Sequence, residues 1–361
     1  MNKIKVYIDD IPDPSYVERF RQLGVGQYCI IYQNNVDPNA KSGEINVDAV
    51  IEKIESGTPT IGGGCSFKDA EIVVLDFEDP YFKSLMVGPE FSHTEGENTY
   101  TYHSTKTTLV NAITSLRQRY PHKQWGYYSM PFVPVYIAKE GDPIPDGIPS
   151  GMGTYISSAS EDQVRNLKKH LTSSFRSIGD ASDFVSTSVY QLDKSDGDHI
   201  GLDNLDRIRA EVGADVCCNI GQGKRKFAWV APVFFGFANA TGVNAGNKVF
   251  DIIPVDEVIK DSVVPCVQHG MDGFFVWLAG NYRITQITSP LNRGGHQGLR
   301  DWFNKNFLAN TGAPSTDDTY WTAPHMVSAI KTIFTDWLYR FCERIVKEME
   351  VSIVTDGNQK I

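Results

Sequence analysis

Short apolar runs alternate with longer amphipathic segments along almost the whole chain. The apolar runs are rich in β-branched and aromatic residues, which favours buried strands. They lie at residues 6–8, 28–32, 71–76, 125–130, 184–192, 227–235 and 273–279. The segments between them repeat apolar residues every three or four positions, which is typical of helices that pack on a sheet. They lie at residues 14–23, 46–55, 109–120, 160–178, 202–212 and 254–269.

Strands that are each followed by a helix predict an α/β fold. Because right-handed crossovers wind parallel strands around an axis, we expect a TIM-like (β/α) barrel, distorted to seven strands. Residues 283–322 are expected to be irregular apart from a helix at 298–308, and an amphipathic helix closes the chain. No linker or repeat interrupts the pattern, so residues 1–361 are predicted as a single domain with site-building loops near 81–103 and 283–322.

The third apolar run ends in three carboxylates and a proline, in the sequence Glu71-Ile-Val-Val-Leu-Asp-Phe-Glu-Asp-Pro80. The strand should stop at the proline, which cannot donate a hydrogen bond to the sheet. Side chains alternate along a strand, so Asp76 and Glu78 face one side while Phe77 and Asp79 face the other. At roughly 3.3 Å per residue the first two carboxyls lie about 7 Å apart, and such a pair can share a proton or a substrate group.

Residues that follow the other strands should meet this acid pair, because the carboxyl ends of barrel strands form one rim and hold the chemistry. The polar and aromatic candidates at that rim are Asp9, Asp10, Tyr127, Tyr128, Tyr190, Gln191 and Trp277. Aromatic faces stack on pyranose rings and carboxyls transfer protons, so the set favours a glycan substrate. The alternatives are purely structural: Asp76 and Glu78 cap the next loop, and Trp277 belongs to the core.

Composition and charge narrow the class of partner. The 361 residues are 41% hydrophobic, and the net charge of −10 argues against nucleic acid or an anionic membrane. We expect no membrane span, since no apolar run reaches about 18 residues, and no signal peptide, hence synthesis in the cytoplasm. The eight histidines and six cysteines show no metal-ligand spacing, so no metal or cofactor is predicted and the thiols should be reduced.

Five segments resemble, in order, the hyaluronidase-like glycoside hydrolases, whose fold is a distorted seven-stranded (β/α) barrel. The segments are Tyr28-Cys-Ile-Ile-Tyr, Val74-Leu-Asp-Phe-Glu, Gln124-Trp-Gly-Tyr-Tyr-Ser-Met-Pro, Ser188-Val-Tyr and Gly273-Phe-Phe-Val-Trp. The second resembles the family's Asp-Trp-Glu signature, with Phe77 in place of the Trp. The resemblance covers roughly residues 3–310, and the family's disulfide cysteines and signal peptide have no evident counterparts.

This resemblance implies that Glu78 is the acid that protonates the leaving glycosidic oxygen. It implies that Asp76 orients the acetamido group of an N-acetylhexosamine, whose carbonyl acts as the internal nucleophile. Tyr127 or Tyr128, together with Tyr190, would bind near that group, and Trp277 would wall the pocket. Because the net charge of the chain is negative, a neutral or peptide-linked amino-sugar polymer is an alternative to hyaluronan, which is a polyanion.

Two other interpretations stay open on the sequence alone. One is a non-catalytic barrel that binds glycans or holds an assembly together, such as a virion or surface component. The other is a metal-dependent hydrolase that uses Asp9, Asp10 and Asp76. The sequence does not decide the glycan, its linkage or the localisation, nor whether the chain forms a homo-oligomer or joins a larger assembly.

Overall fold

The computed structural model describes residues 5–33, 45–56, 67, 70–78, 81–95, 98–138, 153–194, 202–235, 237–238, 244–245, 251–278, 280–308 and 315–358. Asp79 and Cys65 lie outside these residues. Cys217, Cys266 and Cys342 are buried free thiols, Cys218 is a partly exposed free thiol, and Cys29 is buried. Among the helices of the described segments, none is both long and apolar enough to cross a membrane.

The seven expected strands are present and form the centre of the fold. They are β1 (Lys5–Ile8), β2 (Cys29–Tyr32), β3 (Ile72–Asp76), β4 (Gln124–Tyr127), β5 (Phe184–Ser188), β6 (Arg225–Val230) and β7 (Gly273–Val276). The order β5-β6-β7-β1 makes one sheet, and β2-β3-β4 makes a second. Every pairing between these strands is parallel, which confirms the TIM-like α/β arrangement.

Backbone hydrogen bonds connect the two sheets at both edges. A short strand that the sequence pattern did not predict, Val25–Gln27, pairs with β1 and leads directly into β2. Between them, the Tyr28 amide donates to the Ile8 carbonyl at 3.1 Å. At the other edge, the Asp183 amide donates to the Trp125 carbonyl at 2.8 Å. The chain therefore passes from one sheet to the other within a single extended segment.

The carboxyl ends of neighbouring strands lie level with one another. The last paired residues are Tyr32 with Asp76, Leu75 with Tyr127, Ile8 with Val276, and Val276 with Val230. The fourth strand ends earlier than expected, because Ser129 has a φ of 47° and turns the backbone out of the extended region. Residues that follow the strands therefore gather at one rim, as the strand pattern predicts.

Helices fill most connections between the strands. In the described segments the α-helices are α1 (Val17–Leu23), α2 (Val47–Glu55), α3 (Tyr81–Val87), α4 (Tyr102–Arg119), α5 (Glu161–Ala181), α6 (Leu205–Ile220), α7 (Val255–Val258), α8 (Val264–Gln268), α9 (Gly280–Thr288), α10 (Gln297–Phe307), α11 (Asp318–Thr322) and α12 (Pro324–Asn358). A π-helical segment, Ile259–Val263, joins α7 to α8, and short 3-10 helices cover Pro14–Tyr16, Ile156–Ser158 and Leu291–Arg293. The long closing helix confirms the predicted amphipathic stripe, with Ile330, Phe334 and Ile345 buried.

The segment 81–103 is more ordered than the expected loop. It contains helix α3 and an antiparallel hairpin of Ser92–Glu95 with Asn98–Thr101. Helix α3 forms because Tyr81, Phe82 and Leu85 share one face and are all buried. Two smaller hairpins elsewhere pair Tyr136–Ala138 with Gly153–Tyr155 and Phe237–Ala238 with Asn244–Ala245.

The segment 283–322 was expected to be irregular apart from a helix at 298–308. The structure confirms that helix as α10, and the segment also carries most of α9 and all of α11. Its core is built around Arg300, which is 0% exposed. The guanidinium donates to the carbonyls of Ile287, Ser289 and Ser315 at 3.0, 2.6 and 2.8 Å. Contacts between a buried cation and backbone carbonyls leave no apolar period in the sequence, and this helps to explain why the pattern missed α9 and α11.

Candidate active site

The acid pair lies at the end of β3, as the strand pattern predicts. Phe77 is buried and makes edge-to-face contacts with Tyr81 and Tyr127, at ring distances of 6.3 and 6.4 Å. Its neighbours Asp76 and Glu78 therefore project to the other side of the strand. The Glu78 side chain is exposed, whereas Asp76 Oδ1 is buried and has no hydrogen-bond partner among the residues that the structure describes.

Burial dominates the electrostatics of Asp76. Loss of solvation raises the pKa of this carboxyl well above its ordinary value, and the negative charge of Glu78 raises it further. The two acids are therefore close enough to influence each other, as the spacing along the strand predicts. Asp76 retains its proton at a pH where an exposed aspartate has lost it, and the pair can hold a proton for transfer.

Tyr128 lies next to this acid pair. Its ring contacts those of Trp229 and Tyr190, at centroid distances of 5.0 and 6.3 Å. Burial raises the pKa of the Tyr128 phenol, and the nearby charges of Glu78 and Asp76 raise it further. The phenol therefore stays protonated and can donate a hydrogen bond to a ligand.

An aromatic wall rises from the ends of β5, β6 and β7. Tyr190 and Phe235 stack at 4.4 Å with an interplanar angle of 13°, and Trp277 lies 5.7 Å from Phe235 and 6.2 Å from Tyr190. Burial raises the pKa of Tyr190, and Tyr128 and Asp76 add to this rise. Phe235 and Trp277 are half-buried, so part of each ring is open to a ligand. Rings in this arrangement suit the apolar face of a sugar.

Tyr32 is a site residue that the sequence reasoning missed. The Trp277 indole donates to the Tyr32 hydroxyl at 3.0 Å. Burial raises the pKa of Tyr32, and the charges of Asp9, Asp76 and Glu78 contribute to the same rise. The residue ends β2 and pairs directly with Asp76, so the strand-end rule would have found it if applied to the second strand. Phe235, which follows the sixth strand, was overlooked in the same way.

Tyr127 does not join these residues, which corrects its assignment as a possible substrate contact. Its side chain is 2% exposed, and its hydroxyl donates to the Leu109 carbonyl of α4 at 2.7 Å. Side chains alternate along β4, so Tyr127 and Tyr128 cannot both face the rim. The first packs against the surrounding helices and the second faces the acids.

The two aspartates after β1 have different surroundings. Asp10 is 1% exposed, and its Oδ2 accepts a hydrogen bond from the Asn281 amide at 2.9 Å, in the first turn of α9. Its Oδ1 is buried without a partner, and a Cβ at Gly280 would lie 3.1 Å from that oxygen. Asp9 accepts from the Asp10 amide at 3.1 Å and acts electrostatically on Tyr32 and Arg283. Asp10 therefore anchors a helix, and Asp9 is the one that borders the site.

A set of buried polar groups holds the backbone that carries Tyr190. The hydrogen bonds are Ser262 Oγ to the Val189 carbonyl (3.0 Å), Arg209 Nη1 to the Tyr190 carbonyl (3.1 Å), Gln191 Nε2 to the Glu257 carbonyl (2.8 Å) and the Leu192 amide to Asp206 Oδ1 (3.3 Å). Gln191, a rim candidate in the sequence, thus uses its amide to bind a neighbouring helix. Arg209 and Ser262 lie on elements outside the strands, where no strand-end rule could identify them.

The described part of the chain contains no group of three or more His, Cys, Asp or Glu residues arranged to hold a metal ion. The interpretation as a metal-dependent hydrolase that uses Asp9, Asp10 and Asp76 therefore gains no support from the geometry. The rim brings together two neighbouring carboxyls, three phenols and the aromatic wall. Such a set can transfer protons and bind a polar ring compound.

Comparisons with known proteins give distant likenesses in structure. No family model matches the sequence, and no curated protein matches it. Bee venom hyaluronidase is 13% identical, with 87% of this chain and 99% of that chain covered and a TM-score of 0.47. A morphinone reductase is 10% identical (76% and 71% covered, TM-score 0.36), and a β-galactosidase from a Rahnella species is 12% identical (77% and 50% covered, TM-score 0.34). These similarities concern the backbone fold alone.

Proposed function

We propose that this protein is a retaining glycoside hydrolase that cleaves an N-acetylhexosamine-containing glycan with assistance from the substrate. The observation that carries the proposal is the pairing of an exposed Glu78 with a half-buried Asp76 whose Oδ1 has no hydrogen-bond partner among the described residues. Both carboxyls come from one strand end, and Tyr128 and Tyr190 lie next to them. The resemblance in sequence motifs implies the same roles for the two acids.

Glu78 is the general acid and base in this proposal, because its exposed side chain can meet a bound substrate. It donates a proton to the glycosidic oxygen as the bond from that oxygen to the anomeric carbon breaks. The acetamido carbonyl oxygen of the same sugar forms a bond to the anomeric carbon from the opposite face. Glu78 then removes a proton from a water molecule that attacks this carbon and releases the acetamido oxygen, with overall retention of configuration.

Asp76 positions the acetamido group. The Asp76 side chain is half-buried, and in this proposal its carboxyl accepts a hydrogen bond from the acetamido N–H. The same contact holds the acetamido carbonyl against the anomeric carbon, which is the geometry that an internal nucleophile requires. The protonated phenols of Tyr128 and Tyr190 donate to the substrate, and Phe235 and Trp277 stack on its rings.

A comparison of Glu78→Gln with the wild type on a panel of N-acetylhexosamine polymers tests this function. A general acid contributes about 10²- to 10⁴-fold to the rate, so we expect kcat to fall by at least about 10²-fold. Glu71→Gln is the matched control, because Glu71 precedes the same strand at its other end and accepts a hydrogen bond from Gln124 Nε2 at 2.9 Å. That variant should retain wild-type activity.

Undiminished hydrolysis by Glu78→Gln would overturn the assignment of the acid. A wild type that binds glycans but cleaves none of the panel would favour the alternative of a non-catalytic glycan-binding protein. Asp76→Asn separates the role of Asp76 in positioning the acetamido group from its role in holding a proton. Because it retains an acceptor oxygen but loses the ionisable carboxyl, it should keep substrate binding while lowering kcat.

A further inference from the structure

We infer that Trp229 is a positioning residue for Tyr128, and that it holds both the backbone and the ring of the phenol beside Asp76 and Glu78. The indole N–H acts on the backbone through the Ser186 hydroxyl, and the indole ring contacts the phenol directly. The effect of Trp229 on rate rests on the proposed function, whereas its effect on the orientation of Tyr128 does not.

A chain of three hydrogen bonds runs from β6 to β3 through the peptide group between Tyr127 and Tyr128. The Trp229 indole donates to the Ser186 hydroxyl at 2.8 Å, and this hydroxyl donates to the Tyr127 carbonyl at 2.7 Å. On the other side of the same peptide group, the Tyr128 amide donates to the Leu75 carbonyl at 2.8 Å. Because Leu75 directly precedes the first acid of the pair, these bonds fix the phenol-bearing backbone relative to the acids.

The Trp229 ring fixes the Tyr128 side chain by packing. The two rings meet nearly edge to face, with centroids 5.0 Å apart and an interplanar angle of 73°, which is a favourable arrangement for aromatic rings. Phe275 and Tyr28 also contact the indole, at 4.6 and 5.2 Å. Trp229 is 0% exposed and so cannot touch a substrate. It therefore acts on the site through Tyr128.

The turn directly after Tyr128 is fixed as well. Ser129 has a φ of 47°, a left-handed conformation that costs free energy in a residue other than glycine and that recurs at functional sites. Its hydroxyl accepts a hydrogen bond from the Ser188 amide at 3.0 Å. Strand β5 thus holds the backbone before Tyr128 through Ser186 and after it through Ser188. Since the second contact does not depend on the first, a variant that lacks the Ser186 hydroxyl should still fold.

Two substitutions that each remove part of the chain of hydrogen bonds test the inference. Ser186→Ala removes the central hydroxyl, and Trp229→Phe removes the indole donor while keeping a ring. Each should lower kcat/KM on the best N-acetylhexosamine polymer about 3- to 10-fold, because misplacement of a positioned group costs up to about 100-fold and the loss cannot exceed the contribution of the Tyr128 hydroxyl. In a Tyr128→Phe background, the same substitutions should cost less than about 2-fold, because the group through which they act is gone.

Trp125→Phe and Ser182→Ala are the matched controls. Trp125 is 0% exposed on β4, and its indole donates to the Tyr120 carbonyl at 3.4 Å. Ser182 is 2% exposed just before β5, and its hydroxyl donates to the Ile178 carbonyl at 2.8 Å. Each control loses a hydrogen bond of the same kind at the opposite end of its strand from the site. Both should keep wild-type kcat/KM even where the melting temperature falls.

Fluorine NMR of protein labelled with 3-fluorotyrosine reports on Tyr128 without any need for hydrolysis. The Tyr128 resonance is identified by its absence from Tyr128→Phe, and it should move in Ser186→Ala and stay in place in Ser182→Ala. A wild type that cleaves no polymer, together with a moved resonance in Ser186→Ala, would sink the proposed function and support the inference. A resonance that stays in place in Ser186→Ala would overturn the inference and leave the hydrolase intact.

The kinetic cycle of Trp229→Phe with Tyr128→Phe gives a second decision, which holds even where Ser186→Ala does not fold. A loss of kcat/KM that disappears in the Tyr128→Phe background supports the inference. Equal losses in both backgrounds, or a loss as large in Trp125→Phe, would show that Trp229 only stabilises the fold.

Discussion

The guanidinium of Arg209, on helix α6, donates a hydrogen bond to the backbone carbonyl of Tyr190 at 3.1 Å. A buried cation on a surrounding helix therefore fixes the backbone from which a site ring projects. Arg209 also lies 3.7 Å from Asp206, whose second oxygen accepts from Lys194 at 2.6 Å. The strand end that carries Tyr190 is thus stabilised by charges that never reach the substrate.

Replacement of Arg209 by Met should lower both stability and activity. The Tyr190 carbonyl would lose its buried donor, at a cost of about 1–3 kcal/mol in the free energy of unfolding. Asp206 would keep Lys194 as a partner, so the fold should survive. Urea denaturation and kcat/KM on the best polymer measure the two effects, and Arg209→Lys should recover part of the activity because it restores a cationic donor.

Arg207→Met is the control for that experiment. Arg207 lies on the same helix and faces Glu211 at 3.8 Å, with the two side chains 46% and 36% exposed. Exposed pairs contribute about 0–1 kcal/mol, so this variant should behave like the wild type. Equal losses in both variants would show that the helix, and not the contact with Tyr190, causes the effect.

The neighbours Tyr127 and Tyr128 offer a second matched test. Tyr127→Phe removes the hydrogen bond to Leu109 and should cost about 1 kcal/mol of stability, with kcat/KM unchanged. Tyr128→Phe removes the hydroxyl that lies beside the acids and should reduce kcat/KM about 10-fold or more, because one good hydrogen bond to a substrate is worth about that factor. Thermal unfolding and steady-state kinetics on both variants decide the matter. The reverse pattern would place Tyr127 in the site.

The contrast between Tyr127 and Tyr128 also shows how much of the candidate site could be predicted from the sequence. Strand-end reasoning predicted that Asp76, Glu78, Tyr128, Tyr190 and Trp277 gather at one rim, and they lie there because parallel strands that end level bring their following residues together. It kept Tyr127 in error, since alternation along a strand allows only one of two neighbours to face the rim.

Strand-end reasoning could not identify the buried arginines, for a different reason. Arg209 and Arg300 are buried cations that bind backbone carbonyls as well as a carboxylate, and a search for apolar periods cannot detect them. The buried guanidinium of Arg300 organises helices that the pattern left irregular. Tyr32 was within reach of the strand-end rule and was missed because only acids and later aromatics were considered.

The hydrogen bond from Trp277 to Tyr32 predicts that the two residues act as a unit in binding. Tyr32→Phe and Trp277→Phe each remove the bond while keeping a ring, and each should weaken glycan binding several-fold. Because the residues share one contact, the double variant should lose less than the sum, with a coupling of about 0.5–1.5 kcal/mol. Titration calorimetry with a chitin oligosaccharide gives the four affinities. Strictly additive losses would mean that the contact does not orient the wall for the ligand.

The last prediction concerns pH and Asp10, which binds the first turn of α9. Burial raises the pKa of this carboxyl well above its ordinary value of 3.8; the charge of Asp9 raises it further, and the Asn281 amide opposes the rise. The folded state therefore holds a proton that the unfolded state releases, so the free energy of unfolding must fall as pH rises from about 4 through the folded pKa. Asp10→Asn removes this titration and keeps an acceptor oxygen for Asn281.

The Asp10→Asn variant should match the wild type near pH 3.8 and become the more stable protein as pH rises, by about 1.4 kcal/mol for each unit by which the fold raises the pKa. Asp76 titrates in the same sense, so the slope should be reduced and not abolished. Urea denaturation between pH 4 and 9 measures the difference. Asp256→Asn is the control, because that side chain is 80% exposed and should follow the wild-type curve. If Asp10→Asn also runs parallel to the wild type, burial does not govern the ionisation of Asp10.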